Sequence, residues 1–240
     1  MAQDKVKLVF NRLDYLKNSS DRIAIRSLVV KQFLGNVENS RILDIGCGDG
    51  SLSLPMLNES NHLTMVDISE NMIAKVKEQV PPRLAKNVTL INDSFEKVSD
   101  DDRYDIILCV GVIAHVRVVD HLFKKIATLL KPGGLLVIET TPNPYPIGKL
   151  LFPYYFIRGL LAGAAPQYSK NRLKVTSLIS LTKSMGLERL RSVRYSFPLP
   201  GMSHWPHALK LRYTLFTLNN SVVSRFGSEH IFLLKKSNII

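Results

Sequence analysis

The chain has 240 residues, a formal charge of +12 at neutral pH, 45% hydrophobic residues and only two cysteines. That length suits one large domain with a sizeable core, and two cysteines exclude a disulfide-stapled scaffold. Met1-Ala2-Gln3-Asp4-Lys5 lacks the apolar core of a signal peptide, and no uninterrupted apolar run of about 20 residues is present to span a bilayer. The expected location is the cytoplasm, where Cys47 and Cys109 stay reduced. Ser20–Leu34 reads as a helix, with Ile23, Ile25, Leu28, Val29, Val30, Phe33 and Leu34 apolar and Gly35 as its stop. Ile42–Ile45 reads as a short buried strand, and Ser51–Leu57 has the pattern of a helix start. Helices and strands then alternate to Thr140. Further on, Val175–Met185 reads as a helix, Leu187–Tyr195 as a basic strand and Glu229–Lys236 as a last strand.

The stretch between the first strand and the expected helix carries the chemistry. Arg41-Ile42-Leu43-Asp44-Ile45-Gly46-Cys47-Gly48-Asp49-Gly50 places a glycine turn at a strand end, where a ligand can approach bare backbone. Asp67, about 20 residues on, ends a second apolar run and is placed to accept hydrogen bonds from ribose hydroxyls. A nucleoside-containing cofactor follows. A dinucleotide fingerprint needs a third glycine where this chain has Ser51. Asp44, two residues before Gly46, can reach a cationic or hydrogen-bonding group of the ligand.

Asp44-Ile45-Gly46-Cys47-Gly48-Asp49-Gly50 resembles motif I of the class I S-adenosylmethionine (SAM) dependent methyltransferases. Four more segments match that family in order: Leu63–Ser69, Val88–Phe95, Tyr104–Val110 and Leu129–Ile138. The likeness covers roughly residues 20–140 well and 175–236 loosely. It most resembles the small bacterial ubiquinone and menaquinone biosynthesis methyltransferases. The resemblance implies an α/β, Rossmann-like seven-stranded sheet, mostly parallel with the last strand antiparallel, and helices on both faces. It also implies SAM as methyl donor and S-adenosylhomocysteine (SAH) as product. The implied cofactor contacts are Gly46, Cys47 and Gly48 in the turn, and Asp67 with its neighbour Ile68, the carboxylate on the ribose. At the adenine, Asp93 accepts from the amino group and Ser94 or Phe95 donates a backbone N–H. Val110 and Gly111 lie beside the methionine part, and Arg26, on the preceding helix, reaches the SAM carboxylate or else faces solvent.

The resemblance also implies one domain over 1–240, with an N-terminal helical cap (1–40), an inserted lid-like segment (141–172) and a substrate-side part (173–240). Residues 1–140 hold 18 Lys and Arg against 18 Asp and Glu, whereas residues 141–240 hold 14 against only Glu188 and Glu229. A basic substrate side implies an anionic partner: a phosphorylated or carboxylated small molecule, an anionic membrane surface or nucleic acid. A generally solvated basic surface is the other reading. Lys149–Gly163 is apolar and aromatic, interrupted by Pro153 and Arg158. It reads as a membrane-surface contact, a lid over an apolar pocket, or a helix packed on the sheet.

His115 follows the fourth strand, where the methyl group should point, and in the quinone-type enzymes a histidine recurs there. It is the candidate general base; a helix cap or packing under the cofactor is the other account. Three function classes follow. The preferred one is an O-methyltransferase for a small-molecule or lipid-like acceptor, with peripheral contact at the inner membrane face. The others are an RNA or protein methyltransferase and a non-catalytic SAM-binding protein.

Overall fold

The computed structural model describes residues 14–116, 118–140, 153, 156–157, 174–197, 199 and 201–238. Its strands are β1 (Arg41–Ile45), β2 (His62–Val66), β3 (Val88–Ile91), β4 (Tyr104–Cys109), β5 (Leu130–Thr140), β6 (Leu187–Tyr195) and β7 (Glu229–Lys236). They form one sheet in the order β3-β2-β1-β4-β5-β7-β6. Pairings among β1 to β5 are parallel, and β7 runs antiparallel to both β5 and β6. Six strands therefore point one way and the last in sequence the other, as the sequence predicts.

The helices are α1 (Asp14–Leu34), α2 (Glu70–Gln79), α3 (Val119–Leu129), α4 (Val175–Ser184), α5 (His207–Asn219) and the single turn α6 (Ser221–Ser224). A parallel sheet is covered on both faces, so its central strands must be apolar on both. Alternate residues accordingly feed two cores. Leu43, Ile107, Leu136 and Ile138 pack with Phe123 and Ile126 of α3 and Leu178 of α4. Ile42, Leu63, Leu108 and Val137 pack with Ile25 and Val29 of α1 and Val76 of α2, and Leu211 and Leu215 of α5 lie against them.

One local reading changes. Ser51–Leu57 does not begin an α-helix: it is a run of turns ending in the 3-10 turn Leu54–Met56. Pro55 is the physical reason, since it has no N–H to give the Ser51 carbonyl four residues back. That carbonyl instead accepts from the Ser27 hydroxyl of α1, at 3.2 Å. Lys131-Pro132-Gly133-Gly134 is a bulge within β5, with Leu130 opposite Tyr104 and Leu135 opposite Ile106.

The outer strand β6 buries only its ends, Leu187 and Tyr195; Arg189, Leu190 and Arg191 between them are exposed, and the register slips at Leu190. The 141–172 segment lies outside the described residues except for Pro153, Phe156 and Ile157, which are helical and exposed. Among the described residues no helix is long and apolar enough to cross a membrane. Phe123, wholly buried between α3 and the sheet, sets a measure of how far this core can relax. Phe123→Ala is expected to lower unfolding free energy by about 3–5 kcal/mol in urea denaturation.

Candidate functional site

The loops at the carboxyl ends of β1, β2 and β4 meet in one place. The Gly46 and Cys47 N–H groups both donate to the Val66 carbonyl at the end of β2, at 2.8 and 3.1 Å. Gly46 has φ +68, and a Cβ there would stand 2.6 Å from Val112 Cγ2 of the β4 exit. The backbone at Gly46 is thus clamped between two neighbouring strands. Gly48 also has a positive φ, +56, but nothing lies within 4 Å of where its Cβ would be. That open, side-chain-free spot is the place where a ligand can lie against the turn.

Asp67 fixes the turn from the β2 side. Its Oδ2 accepts from the Gly48 N–H at 2.9 Å and its Oδ1 from the Ser69 N–H at 2.8 Å. Burial raises its carboxyl above the usual range, and the backbone N–H groups pull it back. Each oxygen keeps a second lone pair for a ribose hydroxyl. Ile68 beside it is half-buried.

Asp44 lies deeper than the turn itself. It is wholly buried beneath the turn, and its Oδ2 accepts from the Ser53 hydroxyl at 2.6 Å. Burial pushes its carboxyl up to about 7, against a pull-down by Ser53 and a push from Asp67 and Asp49. Asp44 thus supports the loop from beneath. Burial also pushes the Cys47 and Cys109 thiols upward, with Asp44 adding to both, so both stay protonated. Cys47 belongs to the turn through its backbone.

At the β3 exit, Asp93 is exposed and its Oδ1 accepts from the Ser94 N–H at 2.6 Å. Of the two backbone donors expected at the adenine, the Ser94 N–H is therefore already engaged. Ser94 also caps the 3-10 turn Phe95–Lys97, its hydroxyl accepting from the Glu96 N–H. Phe95 packs against the α3-side core.

Arg26 reaches the β4 exit from α1. Its guanidinium comes within 3.2 Å of where a Cβ on Gly111 would stand, close to the buried Val110. Arg22, four residues earlier on the same helix, is exposed. Arg26 is held there by Glu139 of β5, with Nε to Oε1 at 3.0 Å and Nη2 to Oε2 at 2.6 Å. The Tyr195 hydroxyl of β6 donates to the same Glu139 oxygen as Arg26 Nε. Glu139 and Tyr195 were not foreseen. The available signal was a carboxylate inside the apolar run Val137-Ile138-Glu139-Thr140, since a buried charge requires a partner. His115 ends the 3-10 turn Ile113–His115, directly after the Gly111 exit, is half-buried and lies on the segment that packs against β5.

Residues 19–191 match the family described as "Methyltransferase domain". The chain belongs to that family. It is accordingly a class I SAM-dependent methyltransferase, as the motif order implied. The methyltransferase is 25% identical over 175 residues to the ubiquinone biosynthesis O-methyltransferase of Rickettsia conorii, covering 71% of this chain and 58% of that one. It is 33% identical over 130 residues to the protein of the same name from Bradyrhizobium diazoefficiens, covering 54% and 49%. It is also 30% identical over 141 residues to malonyl-[acyl-carrier protein] O-methyltransferase 2 of Ilyobacter polytropus, covering 57% and 51%. The chain thus spans only about half to three-fifths of the length of these relatives. The magnesium protoporphyrin IX methyltransferase of Synechocystis with bound SAH has the same fold, with a TM-score of 0.67, 17% identity, and coverage of 99% of this chain and 100% of that one.

The residues present fit SAM. The open spot over Gly48, the half-buried Asp67 carboxylate and the fixed Arg26 guanidinium supply a bare backbone face, a ribose acceptor and a cation along one edge of the sheet. Two predictions follow from the turn. Gly48→Ala should fold at a cost of about 1–2 kcal/mol yet lose SAM affinity in calorimetry, whereas Gly46→Ala should unfold at distinctly lower urea because Val112 must also move. The unfolded Asp44 carboxyl titrates near 3.8 and the folded one near 7, so the native state holds the extra proton between those values. The stability linked to Asp44 is present below about pH 4 and is lost as pH rises through about 7. Asp44→Asn should therefore flatten the fall of the urea midpoint between pH 5 and 8.

Proposed function

We propose that this methyltransferase methylates an oxygen of a small or lipid-like acceptor that has an apolar body and an anionic part. The observation that carries the reading is the position of His115, on a short turn immediately after the Gly111 exit that packs against β5. SAM supplies an electrophilic methyl group when bound. The chain's own residues do the rest. The Gly46–Gly48 turn and Asp67 hold the nucleoside end, and Arg26 presents its cation to the carboxylate end. His115 takes the proton from the acceptor hydroxyl as its oxygen becomes the nucleophile.

Oxygen as the target is supported by the names of the relatives, which are O-methyltransferases of ubiquinone biosynthesis and of malonyl-[acyl-carrier protein]. An anionic acceptor, or contact with an anionic membrane, is supported by the excess of 14 Lys and Arg over two carboxylates after residue 140. A second reading, methylation of RNA, has one observation in its favour: the exposed Arg189 and Arg191 on β6. Steep loss of RNA binding with salt would favour it, while co-sedimentation with anionic vesicles would favour a lipid acceptor.

The cofactor assignment is checked by calorimetric titration with SAM and SAH, with NAD as control. Micromolar binding of the first two and none of NAD is expected. Asp67→Ala should abolish that binding and lower stability by about 1–3 kcal/mol, because it also frees the Gly48 and Ser69 N–H groups. His115→Ala should keep SAM affinity and the melting temperature while slowing methyl transfer by about 100-fold or more in a labelled-methyl assay. Unchanged turnover would remove His115 from the chemistry.

A further inference from the structure

At the carboxyl edge of the sheet, three polar residues stand side by side on adjacent strands. Thr140, the last residue of β5, is paired in register with His230 of β7, and His230 is paired with Arg194 of β6. Residues paired across a sheet project to the same face, about 5 Å apart per strand. The two-residue alternation puts this row on the α3 and α4 side, in line with Ile138 and Phe232 of that core. It lies on the same edge as the turn bearing His115, which packs against β5. Ligands of open α/β sheets bind at this edge, outside the carboxyl ends of the strands.

The row is unusual in what it lacks. Thr140 is 2% exposed and His230 6%, yet Thr140 Oγ1 and His230 Nδ1 have no hydrogen-bond partner among the described residues. Buried polar atoms are nearly always paired, and leaving one unpaired is costly. Here two occur at one registered pair. The His230 ring is also held in place, its centroid 3.8 Å from that of Phe232. Burial, with Arg194 and Arg189 nearby, drives its imidazole down to about 3, so it is neutral at physiological pH and one of its two ring nitrogens carries a proton to donate. Arg194 is half-buried and makes no ion pair among the described residues.

We propose that Thr140, His230 and Arg194 form the acceptor-binding row of the enzyme, with the hydroxyl to be methylated held by Thr140 and His230 and an anionic group of the same molecule held by Arg194. This rests on the reading of the chain as an O-methyltransferase and narrows its substrate to a hydroxylated acid. The row orients the acceptor oxygen; His115 remains the group that takes its proton. A hydroxyl is the fitting partner because its oxygen can accept from the Thr140 hydroxyl and from the Nδ1–H tautomer of His230, which leaves its single proton for His115.

The test is calorimetric titration of the SAH complex with 4-hydroxybenzoate, whose hydroxyl and carboxylate lie at opposite ends. Benzoate lacks the hydroxyl and phenol lacks the carboxylate. Wild-type protein should bind 4-hydroxybenzoate saturably and at least tenfold more tightly than either control. His230→Phe should reduce that affinity to the level of benzoate, and Arg194→Met to the level of phenol, with SAH affinity unchanged. His230→Phe removes an unpaired buried nitrogen, so its melting temperature should hold or rise; His230→Gln, which keeps a polar arm, should restore part of the affinity. Equal binding by wild type and variants, or no saturable binding by a wild type that still binds SAH, would overturn the row. A wild type that fails to bind SAH would overturn the cofactor reading and the row with it.

Discussion

The buried pairing of Arg26 with Glu139 is the constraint around which the cofactor end of the molecule is organised. The two residues are 113 positions apart and join α1 to the end of β5, while Tyr195 brings β6 to the same carboxylate. A charge this deep is tolerable only if fully paired and hydrogen-bonded, and the bidentate fork of arginine provides that geometry. Removing either partner leaves the other stranded. The pair therefore does two jobs: it anchors the first helix on the sheet and leaves a guanidinium at the Gly111 exit with its position already decided. A cation fixed before the ligand arrives loses little conformational freedom on binding.

The glycine turn follows the same logic. Val66, Asp67 and Val112 hold it from the neighbouring strands, in place of the α-helix that would otherwise brace it. Asp44 underneath is a carboxyl with Ser53 as its hydrogen-bonding partner and two other carboxylates acting on it. Its proton makes the support beneath the turn sensitive to pH near neutrality.

Much of this was legible in the amino-acid order. Leu187–Tyr195 and Glu229–Lys236 coincide with β6 and β7, and the central strands announced themselves as short apolar runs bounded by glycine or carboxylate. The cofactor turn was legible because its requirements are local: a strand, a glycine at a positive φ and a carboxylate at a fixed distance. The helix expected after the turn failed for an equally local reason, the proline at position 55. Glu139 left a signal as a carboxylate in an apolar run, but its partners did not, and Tyr195, Thr140 and His230 were not legible as site residues. Each lies within a stretch that reads simply as strand, and their significance comes from cross-strand register and from a helix more than 100 residues away.

The character of β6 bears on how copies of this protein meet. Among the described residues it is the outermost strand on its side of the sheet, and an edge row of backbone groups is the usual template for chain-to-chain pairing. Here that edge carries Arg189 and Arg191, and the slip at Leu190 breaks the straight ladder a second strand would need. Two such edges brought together would set guanidinium against guanidinium across a kinked seam. The same arginines that make this flank basic thus act as a guard against fibril-like stacking, one whose strength fades as salt screens the repulsion.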